Sequence, residues 1–149
     1  METSATLHHG PSILVVDDDP SAIEIVATYL ERDGYHIVGV TDSRHAVAQA
    51  RIAETKPSTI VLDLMMPDID GFAVIEELGR DPLTSAIPVV VLSAKELTVQ
   101  ERQQLNQRVS GLLAKGQSTP EQLLGKITDI LAAFAKTSTF LPANKEQTE

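Results

Sequence analysis

The 149-residue chain has no cysteine and no tryptophan. Without thiols there is no disulfide framework, no thiol nucleophile and no cysteine-based metal site, which fits a reducing compartment. Aromatic residues make up 3% of the chain and are scattered as Tyr29, Tyr35, Phe72, Phe134 and Phe140, so no base-stacking platform exists. Basic residues are also scarce. Twelve Lys and Arg stand against 21 Asp and Glu, a net charge of -9 that opposes phosphate backbones and excludes nucleic acid as a direct partner. No apolar run approaches the ~18 residues of a membrane span. The start, "METSATLHHGP", lacks the basic end and apolar core of a secretory signal. The expected location is the cytoplasm, away from membranes.

What the chain does have is alternation. Short aliphatic runs, "SILVVD" from Ser12, "YHIVGV" from Tyr35, "STIVLD" from Ser58, "IPVVVLS" from Ile87 and "VSGLLAK" from Val109, predict five strands. The middle runs are apolar on successive residues, as in parallel strands covered on both faces. Helical spacing fills the gaps. Asp19 and Pro20 open a helix with Ile23, Val26, Ala27 and Leu30 on one face and Gly34 at its end. A second helix is expected from Ser43 to Glu54, and a third from Asp70 and Gly71 with Phe72, Val74, Ile75 and Leu78. Thr98 with Glu101 opens a fourth as a capping box, and Thr119, Pro120 and Gln122 a fifth. The fifth carries a stripe of Leu123, Leu124, Ile127, Ile130, Leu131 and Phe134. The pattern predicts one α/β domain over residues 12–136, a doubly wound five-stranded parallel sheet with five helices, between frayed polar tails at 1–11 and 137–149.

Ligands of such sheets sit at the carboxyl ends of the strands. There the first strand delivers Asp17 and Asp18, with Asp19 used as helix cap; the third delivers Asp63, the fourth Ser93 and the fifth Lys115. Carboxylates a few ångströms apart repel by about 1 to 4 kcal/mol per pair at surface-like dielectric, which a divalent cation relieves. An oxygen-only donor set favours magnesium shared with a phosphate. Lys115 and the Ser93 hydroxyl then suit the remaining phosphoryl oxygens. His8, His9, His36 and His45 have no partners at ligand spacing, so neither a zinc site nor a phosphohistidine is expected. Met65 and Met66 read as packing residues, with Met65 also flanking the site and limiting water access.

The segments "ILVVDDDP", "IVLDLMMPDIDGF", "VVVLSA" and the Lys115 after the fifth strand make the chain resemble the receiver domains of two-component response regulators, over roughly Ser12 to Lys136. The resemblance implies a flavodoxin-like strand order of 2-1-3-4-5. It implies that Asp63 is the phosphoacceptor for a phosphohistidine on a sensor histidine kinase or histidine phosphotransfer protein. Asp18, Asp63 and the Met65 backbone carbonyl would hold Mg2+ directly, and Asp17 through water. Ser93 would move toward the phosphoryl group and Lys115 salt-bridge it. The signal would leave through the surface of the fourth helix, fifth strand and fifth helix, with slow autodephosphorylation returning the domain to rest.

Two positions depart from the family's text. Leu112 stands at the usual aromatic position, so no ring rotates behind Ser93. Gly116 replaces the proline that is usually joined to the lysine by a cis bond; without proline that form costs about 2.5 to 4 kcal/mol, so a trans bond or a compensated strain is expected. The fourth helix has only Val99 and Leu105 as large apolar residues and is expected to be weakly anchored. Few residues follow Phe134, so output is expected through a downstream protein target, with pairing of two copies on phosphorylation. Two alternatives stand beside this reading. One is a receiver-like interaction domain that is never phosphorylated. The other is a haloacid-dehalogenase-like phosphohydrolase with Asp17 as nucleophile and Asp19 as acid, which lacks room for a cap segment and a later acidic pair.

Overall fold

The computed structural model describes residues 11–42, 45–51, 57–65 and 70–147. Strands β1 (Ser12–Val16), β2 (His36–Val40), β3 (Thr59–Leu62), β4 (Val89–Ser93) and β5 (Gly111–Ala114) alternate with helices α1 (Pro20–Arg32), α2 (Ala46–Arg51), α3 (Gly71–Arg80), α4 (Val99–Asn106) and α5 (Pro120–Gln147). The sheet is parallel throughout, in the order β2-β1-β3-β4-β5. Both the five-helix α/β architecture and the strand order are those expected from the sequence.

Successive side chains of a strand alternate between the two faces, and here both faces are covered. Leu14, Val16, Ile60, Leu62, Val89 and Val91 pack on one side against α2, α3 and Leu105 of α4. Ile13, Val15, Val61 and Val90 pack on the other against Val26 and Leu30 of α1 and Leu123 and Ile127 of α5. That is why the inner strands read as unbroken aliphatic runs.

Helix ends follow their capping residues. The Asp19 carboxylate accepts the Ser21 N–H at 3.0 Å, and Asp70 accepts that of Phe72 at 3.1 Å. At the end of α1, Gly34 N–H donates to the Glu31 carbonyl and Tyr35 N–H to that of Leu30, a Schellman ending. Thr98 and Glu101 form a reciprocal capping box on α4.

Two boundaries differ from the pattern-based expectation. Helix α2 is described over Ala46–Arg51, with the His45 N–H bonded to the Asp42 carbonyl just before it; Ser43 and residues 52–54 of that expected helix lie outside the described residues. Strand β5 begins at Gly111, although Val109 still packs against the core. Helix α5 continues through 137–147, which the polar composition assigned to a frayed tail. No glycine follows Gly125 to end it, and the helix runs on past Pro142, which has no N–H of its own to donate. The Phe134 side chain, last of the expected stripe, lies outside those described, as does the tail over 1–10.

Candidate phosphoryl and metal site

All five strands run the same way, so their ends share one rim. Asp17 N–H donates to the Val40 carbonyl and Asp63 N–H to that of Val16, extending the ladder one residue past each strand. Ladder bonds thus hold both backbones rigidly where their side chains emerge. Each residue is 5% exposed.

Buried carboxylates require partners. One oxygen of each is satisfied locally: Asp17 Oδ1 accepts the Asp19 N–H at 3.0 Å, and Asp63 Oδ1 accepts the Met65 N–H at 3.0 Å. The second oxygens converge on a single ammonium. Lys115 Nζ lies 2.7 Å from Asp17 Oδ2 and 3.1 Å from Asp63 Oδ2. Partial burial pulls the lysine pKa down from 10.5, but hydrogen bonds to Asp17 and then Asp63, together with their charges, outweigh it, and the net direction is up. The ammonium is therefore firmly charged at neutral pH.

Lys115 is placed by its own turn. Its N–H donates to the Ser93 carbonyl at 2.9 Å, and Ser118 N–H closes back onto Ala114. Gly116 makes the turn with φ of +85°, and no described peptide bond is cis. The lysine thus reaches the carboxylates through a trans bond followed by a left-handed glycine.

One ammonium does not balance three carboxylates. Exposed Asp18 completes a cluster in which one oxygen from each of Asp17, Asp18 and Asp63 lies within 4.8 Å of the others. The donors are hard oxygens, which suits magnesium and not the softer metals. The Met65 backbone wraps the same place, since its N–H already bonds Asp63. The residue is 54% exposed, so it is no core residue; it follows β3 into the loop at the rim. Met66 lies outside the described residues.

Ser93 is not brought into that bridge. By alternation it points with Val89 and Val91, toward the α3 and α4 side, whereas Asp17, Asp63 and Lys115 share the parity of Val15, Val61 and Leu113 on the α1 and α5 side. Its buried hydroxyl accepts the Lys95 N–H at 3.2 Å. Asp19 instead caps α1, where its carboxylate accepts the Ser21 N–H. Beside Lys115 runs an apolar groove lined by Ala22, Ile25, Val26, Leu92, Pro120 and Leu123, with Ile25 55% exposed. Among the described residues no helix is long and apolar enough to cross a membrane.

The family model described as "Response regulator receiver domain" matches residues 13–128. The chain is 42% identical over 84 residues to the DNA-binding dual master transcriptional regulator RpaA of a Synechocystis species, covering 56% of this chain and 34% of that protein. It is 33% identical over 122 residues to the phosphate regulon transcriptional regulatory protein PhoB of Pseudomonas aeruginosa, covering 82% and 52%. It therefore spans about a third to a half of the length of these two relatives. The crystal structure of the N-terminal domain of a response regulator receiver protein from Methanoculleus marisnigri superposes with a TM-score of 0.67 at 33% identity, over 83% of this chain and 98% of that one.

Proposed function

Because this chain belongs to the response regulator receiver domain family of two-component signal transduction, we propose that it is a phosphoacceptor whose Asp63 takes a phosphoryl group from a partner phosphohistidine. A carboxylate oxygen of Asp63 attacks phosphorus, the new O–P bond forms as the P–N bond breaks, and the leaving imidazole takes up a proton from solvent. The product is an acyl phosphate, a signalling state and not a released product. The observation that carries this reading is the Asp17–Lys115–Asp63 bridge, with Asp18 beside it, at the carboxyl ends of three strands.

Each residue has a task that its present contacts support. Met65 N–H orients the Asp63 carboxylate. Lys115, shared now between two carboxylates, is an ammonium already in place to hold a phosphoryl oxygen. Asp17 positions that lysine. Asp18, Asp63 and the Met65 carbonyl would hold Mg2+ directly, and Asp17 through water. Bound magnesium supplies positive charge that offsets the carboxylates and the phosphoryl oxygens during transfer. The Ser93 hydroxyl, now an acceptor for the Lys95 N–H, would move toward the phosphoryl group and donate its own proton there, and the exposed Met65 side chain restricts water and slows autodephosphorylation.

The apolar groove beside Lys115 suits a helix of the donor, a sensor histidine kinase or histidine phosphotransfer protein in the cytoplasm. Output passes through the surface of α4, β5 and α5 to a protein target or a second copy. Although one relative's name includes DNA binding, the net charge of -9 favours protein contact.

Intact-mass measurement after incubation with acetyl phosphate and magnesium tests the acceptor. Covalent phosphate on the wild type and none on Asp63→Asn is expected. Uptake that survives Asp63→Asn but not Asp17→Asn overturns the assignment, and no uptake by the wild type leaves a receiver-shaped interaction domain.

A further inference from the structure

Helix α4 is held to the body by little apolar burial: Leu105 is its one buried residue, and Val99 is 74% exposed. Its first turn depends on polar contacts instead. Glu101 N–H donates to Thr98 Oγ1 and Thr98 N–H to Glu101 Oε1, each at 3.0 Å. The other oxygen of the same carboxylate, Glu101 Oε2, lies 3.7 Å from Lys95 Nζ. Lys95 in turn belongs to the rim, because its backbone N–H is bonded to Ser93 Oγ at the end of β4, the strand beside Asp63's own. An unbroken polar chain therefore runs from Ser93 through Lys95 to the cap of α4.

Two features make the Lys95 end of that chain exchangeable. Its side chain is 34% exposed and ends in an ammonium on a flexible four-carbon stem with several rotatable bonds. Its partner is a monoanion at the long distance of 3.7 Å, whereas a phosphoryl group at the neighbouring strand end offers more charge and three oxygens. Adjacent strands are about 4.8 Å apart, within the sweep of a lysine anchored two residues past β4.

Resting on the acceptor reading above, we propose that Lys95 is a two-position ammonium, paired with Glu101 at rest and with the anion at Asp63 when the site is loaded, so that loading releases the first turn of α4. The Ser93 hydroxyl leaves the Lys95 N–H in the same movement. Glu101 and the loaded site thus compete for one cation, and occupancy at the rim is read as looser capping eight residues past Ser93.

Competition of this kind has a signature that a merely structural ion pair lacks. Glu101→Gln keeps a capping oxygen for the Thr98 N–H but no longer retains Lys95. Beryllofluoride binding in magnesium, followed by fluorine NMR on the full chain, should tighten roughly two- to fivefold in Glu101→Gln and weaken by a similar factor in Lys95→Met. In Lys95→Met the added Glu101→Gln change should have no effect, which a double-mutant cycle reads directly. Hydrogen exchange of the α4 amides should quicken on loading in the wild type and not in Lys95→Met. Tightening by Glu101→Gln that persists without Lys95, or no tightening at all, overturns the exchange while leaving the acceptor reading intact. A wild type that binds no beryllofluoride overturns both.

Discussion

Asp17 and Asp63 stand on adjacent strands with mirrored arrangements: each gives one oxygen to a backbone N–H two residues on and the other to Lys115. The lysine is therefore the counter-ion of the resting site as well as a candidate ligand of the phosphoryl group. Lys115→Met should destabilise the fold, since it leaves two buried carboxylate oxygens unpaired, at about 1 to 3 kcal/mol for each such loss. Asp63→Asn should act in the opposite sense. It removes one of three clustered like charges, keeps an acceptor for Met65 N–H and leaves Lys115 with Asp17, a gain on the order of 1 kcal/mol. Urea titrations of the two variants check the sign: the midpoint falls for the first and rises for the second.

Magnesium should stabilise the native chain by mass action. A ligand that binds only the folded state at ten times its Kd adds about 1.4 kcal/mol. Asp18 is the informative control, because it is exposed and outside the lysine bridge. Asp18→Asn should raise metal-free stability, since it relieves repulsion from Asp17 and Asp63 without losing an ion pair, and remove most of the magnesium-dependent rise in thermal midpoint. A variant that keeps the full rise would take Asp18 out of the donor set.

The parts of this structure legible in the sequence are those governed by neighbours along the chain. Asp19, Asp70 and the Thr98 and Glu101 pair cap helices because a side-chain oxygen reaches an N–H two or three residues on, and that relation is written in the spacing. Strand order was legible through a resemblance and the both-face burial of the aliphatic runs. The closest ion pair of the site was not. Lys115 and Asp17 are 98 residues apart, and their 2.7 Å contact exists because β1 and β5 both end on a rim whose curvature no residue pattern encodes. Ser93 shows the same limit at shorter range. Its position on the fourth strand was clear, but its parity with Val91 sends the hydroxyl to the α4 side of the sheet, away from the lysine bridge. Met65 reads as apolar packing from its residue type, yet it follows the strand end into a loop and is 54% exposed.

The raised pKa of Lys115 gives a pH dependence of definite sign. A cation whose folded pKa lies above its unfolded value of 10.5 contributes stability that is fully present below that value and lost as pH rises through the folded pKa. Every other group is common to both proteins, so the measurement is a difference. Urea titrations of the wild type and Lys115→Met from about pH 9 to 12 should converge as pH rises, because the lysine's contribution fades in one and is absent in the other. A gap of constant size across that window would mean that Lys115 stabilises through its stem and not its charge.

Gly116 and Gly71 should respond differently to alanine. At Gly116 a Cβ meets nothing within 4 Å, but φ is +85°, so Gly116→Ala costs backbone strain alone, about 1 to 2 kcal/mol. Asparagine, which enters the left-handed region more readily, should recover part of that loss. At Gly71 a Cβ would sit 2.6 Å from the Leu64 Cα and 3.1 Å from the Asp63 carbonyl oxygen, both backbone atoms that cannot swing aside. Gly71 N–H also bonds the Leu64 carbonyl at 3.2 Å, so the start of α3 lies directly on the residue after Asp63. Gly71→Ala must push α3 from the end of β3, and the displacement is transmitted to Asp63. Phosphate uptake from acetyl phosphate should therefore fall more in Gly71→Ala than in Gly116→Ala when both are compared at temperatures where each is fully folded. Equal uptake in the two would detach the acceptor's geometry from the seating of α3.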